Sequence, residues 1–94
     1  FYFIEAVEDA ARELGLPVQI AHQLAVNTFS GAAKLAATSP DPVAVLRERV
    51  TSKGGTTERA LASMAKDEVK QAIIRAIHAA NDRGKELGEE LGKE

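Results

Sequence analysis

From Pro17 to Thr38 the residues of this chain are apolar nearly all the way round a helix. Val18, Ile20, Ala21, Leu24, Ala25, Val26, Phe29, Ala32, Ala33, Leu35 and Ala36 are interrupted by a few polar residues, among them His22, Gln23, Asn27, Ser30 and Lys34. At 1.5 Å per residue such a helix would run roughly 33 Å, long for so small a domain. A helix without a polar face needs neighbours on all sides. The rest of a 94-residue chain can hardly supply them, so a second subunit is the expected wrapper. Gly31, between Ser30 and Ala32, would let another backbone approach closely, at about 1 kcal/mol of helix propensity. A membrane span is a poor reading, because the polar residues are spread through the middle of the segment.

Composition points the same way. The chain is 45% hydrophobic but only 4% aromatic, so its core must be built from Ala, Val, Leu and Ile. That is a thin core for a lone domain. A net charge of −2 with both signs interspersed leaves no electrostatic footprint for nucleic acid. With no cysteine, disulfides, thiolate catalysis and Cys-ligated metal are excluded. No signal peptide and no bilayer-length apolar run is present, so a cytoplasmic location is expected.

The remaining elements are helical too. Phe1, Ile4, Val7, Ala11 and Leu14 form the apolar stripe of a first helix, which Gly15 ends and Leu16-Pro17 leads out of. Ser39-Pro40-Asp41-Pro42 breaks the chain; Asp41 is the expected cap of a short helix to Val50 with Val43, Leu46 and Val50 inward. A further short helix is expected from near Thr57, with Leu61 and Met64 on one face. A long one restarts at Lys66-Asp67-Glu68 with Val69, Ile73, Ala76, Ile77 and Ala80 as its stripe. The end, from Gly84 to Glu94, is expected to fray, because Gly84, Gly88 and Gly92 weaken it. No strand and no repeat is found. The fold class is all-α, about five helices.

Between the third and fourth helices lies Val50-Thr51-Ser52-Lys53-Gly54-Gly55-Thr56-Thr57, where hydroxyls and glycines crowd together. A Gly-Gly segment opening a helix presents free N–H groups and the positive end of the helix dipole, which favour a carboxylate or phosphate. The plainer reading is an interhelix turn with Thr56 or Thr57 as N-cap. The run is no phosphate-binding Gly-Lys-Ser/Thr loop, and no strand precedes it as in a dinucleotide fingerprint. His22 and His78 lack partners at zinc spacing, and no metal site is expected.

The same eight residues resemble the signature of the pyrroline-5-carboxylate reductases, usually V-T-S-P-G-G-T-T. Phe3-Ile4-Glu5-Ala6, Leu14-Gly15-Leu16-Pro17, Ala21 to Leu24, Gly31-Ala32-Ala33-Lys34-Leu35 and Glu86-Leu87 resemble residues of that family's C-terminal domain at consistent spacing. The resemblance implies a 6-phosphogluconate dehydrogenase C-terminal-like helical bundle, interlocked as a homodimer. It implies that residues 1–94 are the dimerisation and substrate-binding domain of an enzyme reducing 1-pyrroline-5-carboxylate to L-proline with NADPH or NADH. Ser52, Gly54, Gly55, Thr56 and Thr57 would then bind the substrate or proline, and Thr57 would be the catalytic residue beside the ring nitrogen. The family's N-terminal Rossmann domain, which holds the cofactor, is not in these residues, nor is its Ser-Gly-Pro-Ala stretch before the first helix. The expectation is therefore a truncated, inactive piece. Lys53 departs from the usual Pro, loosening the loop while adding a cation. Asp67-Glu68-Val69 stands where many members have Gly followed by Phe, a change expected to alter only packing. A stand-alone helical interaction module and a non-catalytic carboxylate-binding domain are the alternatives.

Overall fold

The computed structural model describes residues 1–92. They form five helices: α1 (Tyr2–Glu13), α2 (Val18–Thr38), α3 (Val43–Arg49), α4 (Thr56–Lys66) and α5 (Val69–Gly92). No strand occurs among the described residues. The chain divides into two compact units, Phe1–Arg49 and Val50–Glu94.

In the first unit α1 packs on α2. Helix α1 stops at Gly15, whose φ of 100° is left-handed. The Gly15 N–H donates to the Arg12 carbonyl at 3.0 Å and the Leu16 N–H to the Ala11 carbonyl at 3.1 Å. That paired arrangement satisfies the last carbonyls and turns the chain sharply. Pro17 is the N-cap of α2 rather than its first residue; its carbonyl accepts the Ala21 N–H at 2.9 Å. A Glu8–His22 side-chain pair ties α1 to α2.

Within this unit the buried residues are Ala11, Ala21 and Ala25. Three methyl groups allow two helices to approach closely but remove little apolar surface from water. The larger side chains of α2 stay out of any core, with Val18 59%, Ile20 50%, Leu24 47% and Leu35 49% exposed. Two of the hydroxyls of α2 turn back on the helix: Thr28 Oγ1 donates to the Leu24 carbonyl at 2.7 Å and Thr38 Oγ1 to the Lys34 carbonyl at 2.9 Å. A Cβ on Gly31 would meet nothing within 4 Å.

Helix α3 differs from the reading of its sequence. Pro42 supplies the first helical carbonyl, accepting from Leu46 N–H at 3.2 Å, while the Asp41 carboxylate reaches Arg49 in the last turn at 2.6 Å. An ion pair to a full guanidinium thus takes the carboxylate that capping would have used. Val45 and Leu46 are half-buried, whereas Val43 and Val50 are exposed.

In the second unit α4 packs on α5, with Leu61, Val69 and Ile73 half-buried and Met64 and Ile77 exposed. The two helices are hinged on one residue. Glu68 has a left-handed φ of 53°; its N–H donates to the Ala65 carbonyl at 3.2 Å and its carbonyl accepts from Ala72 at 3.0 Å. At this φ the substitution of Asp67-Glu68-Val69 for the Gly-Phe that the resemblance leads one to expect bears on the backbone as well as on packing. Helix α5 does not fray at Gly84 but continues to Gly92. Arg83 spans two of the glycines, pairing with Glu86 at 2.9 Å and Glu90 at 3.5 Å. Residues 93 and 94, the last of the expected frayed end, lie outside the described residues.

Candidate functional site

Ser52 to Gly55 forms a tight turn, closed by the Gly55 N–H donating to the Ser52 carbonyl at 3.0 Å. Gly54, third in that turn, has φ 75°, the left-handed value that a type II turn demands there and that glycine adopts without strain. Lys53 is second, the position where a proline ring pre-sets the required φ. The Pro that the resemblance leads one to expect here would thus have a physical reason, and a lysine gives up that restraint, about 0.4–1 kcal/mol of unfolded-state entropy.

Gly55 is the N-cap of α4 and carries no capping side chain. A Cβ there would lie 3.2 Å from the Ser52 carbonyl oxygen and 3.3 Å from Ser52 Cβ, so a side chain at 55 would push the Ser52 end of the turn by a few tenths of an ångström. Neither Thr56 nor Thr57 is the N-cap, as the plainer reading of the loop had it; they are the first two residues of the helix. Thr56 and Ser52 are exposed, while Thr57 and Gly55 are half-buried.

The five residues expected to bind substrate are brought together, but their donors are not equivalent. The Gly55 N–H is spent on Ser52, and the Gly54 N–H donates to Glu58 Oε1 at 3.2 Å. What remains is the first turn of α4, whose Thr56, Thr57 and Glu58 N–H groups lie where a helix has no backbone acceptor of its own. These three, with the helix dipole behind them, can hold a carboxylate; the hydroxyls of Ser52 and Thr57 can orient what carries it. Glu58 is the residue that reading the sequence missed. The signal was there: a Glu three residues into a helix commonly reaches back to a donor before it.

Elsewhere, a shallow depression among Asp9, Arg12 and Glu13 lies on the charged side of α1. It has one helix for a wall and nothing to orient a ligand. No group of three His, Cys, Asp or Glu side chains comes together among the described residues. No described helix is long and apolar enough to cross a membrane.

The first unit thus carries an apolar helix with exposed large side chains, and the second a loop that opens a helix whose first-turn N–H groups have no backbone acceptor. Comparison with known proteins supplies the class. Residues 1–87 match the family model described as pyrroline-5-carboxylate reductase dimerisation, and the chain belongs to that family. It is 40% identical over 93 residues to the pyrroline-5-carboxylate reductase of Pseudomonas aeruginosa, covering 99% of this chain and 34% of that protein. To pyrroline-5-carboxylate reductase 1 of Bacillus subtilis it is 33% identical over 93 residues, covering 99% of this chain and 31% of the relative. The pyrroline-5-carboxylate reductase structure from Coxiella burnetii superposes with a TM-score of 0.87 at 40% identity, over 93% of this chain and 32% of that one. The Plasmodium falciparum pyrroline carboxylate reductase, solved with NADP bound, does so with a TM-score of 0.82 at 32% identity, over 84% and 30%. The chain thus spans about a third of the length of these relatives.

Proposed function

We propose that residues 1–94 are the C-terminal dimerisation and substrate-loop domain of a pyrroline-5-carboxylate reductase, which reduces 1-pyrroline-5-carboxylate to L-proline with NADPH or NADH. The reading is carried by one coincidence. The family match spans the loop, and the loop of this chain ends in a helix turn whose N–H groups suit the single carboxylate of that substrate. The described residues contain no strand-turn-helix, so they do not build a dinucleotide site. The hydride donor belongs to an N-terminal Rossmann domain outside these residues, and none binds to them alone.

The work left to this chain is binding and orientation. The first turn of α4 holds the carboxylate, and the half-buried Thr57 hydroxyl hydrogen-bonds or orients the ring nitrogen, so that one face of the imine is presented. The chain acts as a homodimer, with the exposed apolar face of α2 covered by a second copy, and it meets neither nucleic acid nor membrane. The enzyme is cytoplasmic.

The test is imine-dependent oxidation of NADPH or NADH by the full-length protein. Wild type should turn over, and Thr57→Ala should lower kcat about 10²-fold with unchanged helicity, the usual cost of one oriented donor. Absence of turnover would leave a stand-alone helical interaction module as the reading. Turnover unchanged in Thr57→Ala would return the loop to a simple turn.

A further inference from the structure

Glu58 sits at the third position of α4, inside the turn that the proposed function gives to the substrate carboxylate. A negative charge there favours the helix but repels an anion bound at the same N-terminus. Its Oε1 nevertheless accepts the Gly54 N–H at 3.2 Å, four residues back. Gly54 is the left-handed residue of the turn, φ 75°, and next to it stands Lys53 in place of a φ-fixing ring. The turn is closed by one backbone bond, Gly55 N–H to the Ser52 carbonyl. The Glu58 contact is therefore a second restraint, placed beside the residue where the chain lacks one.

We propose that Glu58 is a positioning residue for the substrate loop: by holding the Gly54 N–H it locks the Lys53-Gly54 turn and keeps the Thr56 and Thr57 N–H groups aimed at the substrate carboxylate. The inference rests on the function proposed above. What matters is the accepting oxygen, not the charge, and the restraint replaces the one a proline at position 53 would impose.

Steady-state kinetics of the full-length enzyme test it with three variants. Glu58→Ala should raise KM for the cyclic imine about 5-fold, the value of one lost hydrogen bond, with kcat within about twofold. Glu58→Gln keeps an accepting oxygen without the charge and should restore KM. Adding Lys53→Pro to Glu58→Ala should restore it too, an outcome that a helix-dipole role for Glu58 does not produce. An unmoved KM in Glu58→Ala, or failure of both rescues, overturns the proposal. Should Glu58→Ala not fold, Glu58→Gln alone decides: a wild-type KM supports the oxygen's role, and a KM like that expected of the alanine variant overturns it. If the wild-type enzyme reduces no imine, the proposed function fails, and the clamp is then judged by hydrogen exchange at the Gly54 amide. Faster exchange in Glu58→Ala than in Glu58→Gln keeps the clamp, and equal rates remove it.

Discussion

Glu68 holds its backbone at φ 53°, a left-handed value that an L side chain strains to adopt. The left-handed conformation costs an L-residue roughly 1–2 kcal/mol, and glycine, which escapes that cost, loses about 0.5–1 kcal/mol of chain entropy instead. Glu68→Gly should therefore stabilise the protein by about 0.5–1 kcal/mol, read as a higher midpoint in urea with an unchanged slope. An unchanged or lower midpoint would mean that the Glu68 side chain makes a compensating contact. Gly54 shows the reverse economy at the loop: its φ of 75° is met by the residue suited to it, and the strain that any other would bring is absent. Single residues thus decide where the helices stop, and among the described residues the non-glycine with a left-handed φ lies at the α4–α5 hinge rather than at the loop.

At the scale of the element, α2 is the outlier. A helix of ordinary amphipathic pattern, such as α1, can bury its stripe against one neighbour. Helix α2 packs on α1 through small residues, and its large side chains remain out in solvent. If that face is the dimer interface, Leu24→Glu puts an unpaired charge into it, and the dimer should weaken by at least about 10²-fold. Sedimentation equilibrium across micromolar concentrations measures this directly. On a solvent-facing surface the same change would be worth within about 0.5 kcal/mol and would leave the mass distribution alone. Helix α5 presents a related case at its end, where Gly84, Gly88 and Gly92 each leave open space around a missing Cβ. Its side-chain pairs contribute about 0.2–0.5 kcal/mol apiece, less than the glycines cost.

For the whole molecule, the proposed homodimer ties association to folding, because the single chain buries little beyond Ala11, Ala21 and Ala25. The stability of such a dimer is not separable from its concentration. Thermal unfolding should accordingly shift with dilution, by about 3–5 °C for each tenfold step, as monitored by helicity. A melting temperature independent of concentration would mean that the monomer is stable by itself, and the homodimer proposal would fall.

The elements were legible because each rests on neighbours in sequence. The first helix with Ile4, Val7 and Ala11 turned inward, the stop at Gly15 and the all-round apolar run of α2 depend on 3.6-residue periodicity and on glycine's freedom, both of which are written locally, whereas Phe1 and Leu14, expected in the same stripe, are exposed. The loop was legible as a place, since Gly54 and Gly55 mark a turn wherever they fall. Which donors it leaves free was not, because that depends on where a carboxylate four residues away lands; only the fold shows Glu58 on the Gly54 N–H. The Asp41–Arg49 pair escaped notice for the same reason, as did the continuation of α5 past its glycines. Local pattern determines which residues can be helical and which face is apolar. Three-dimensional packing decides which polar groups meet, because hydrogen bonds and ion pairs form between atoms that the chain brings within about 3 Å, a proximity that spacing along the sequence does not specify.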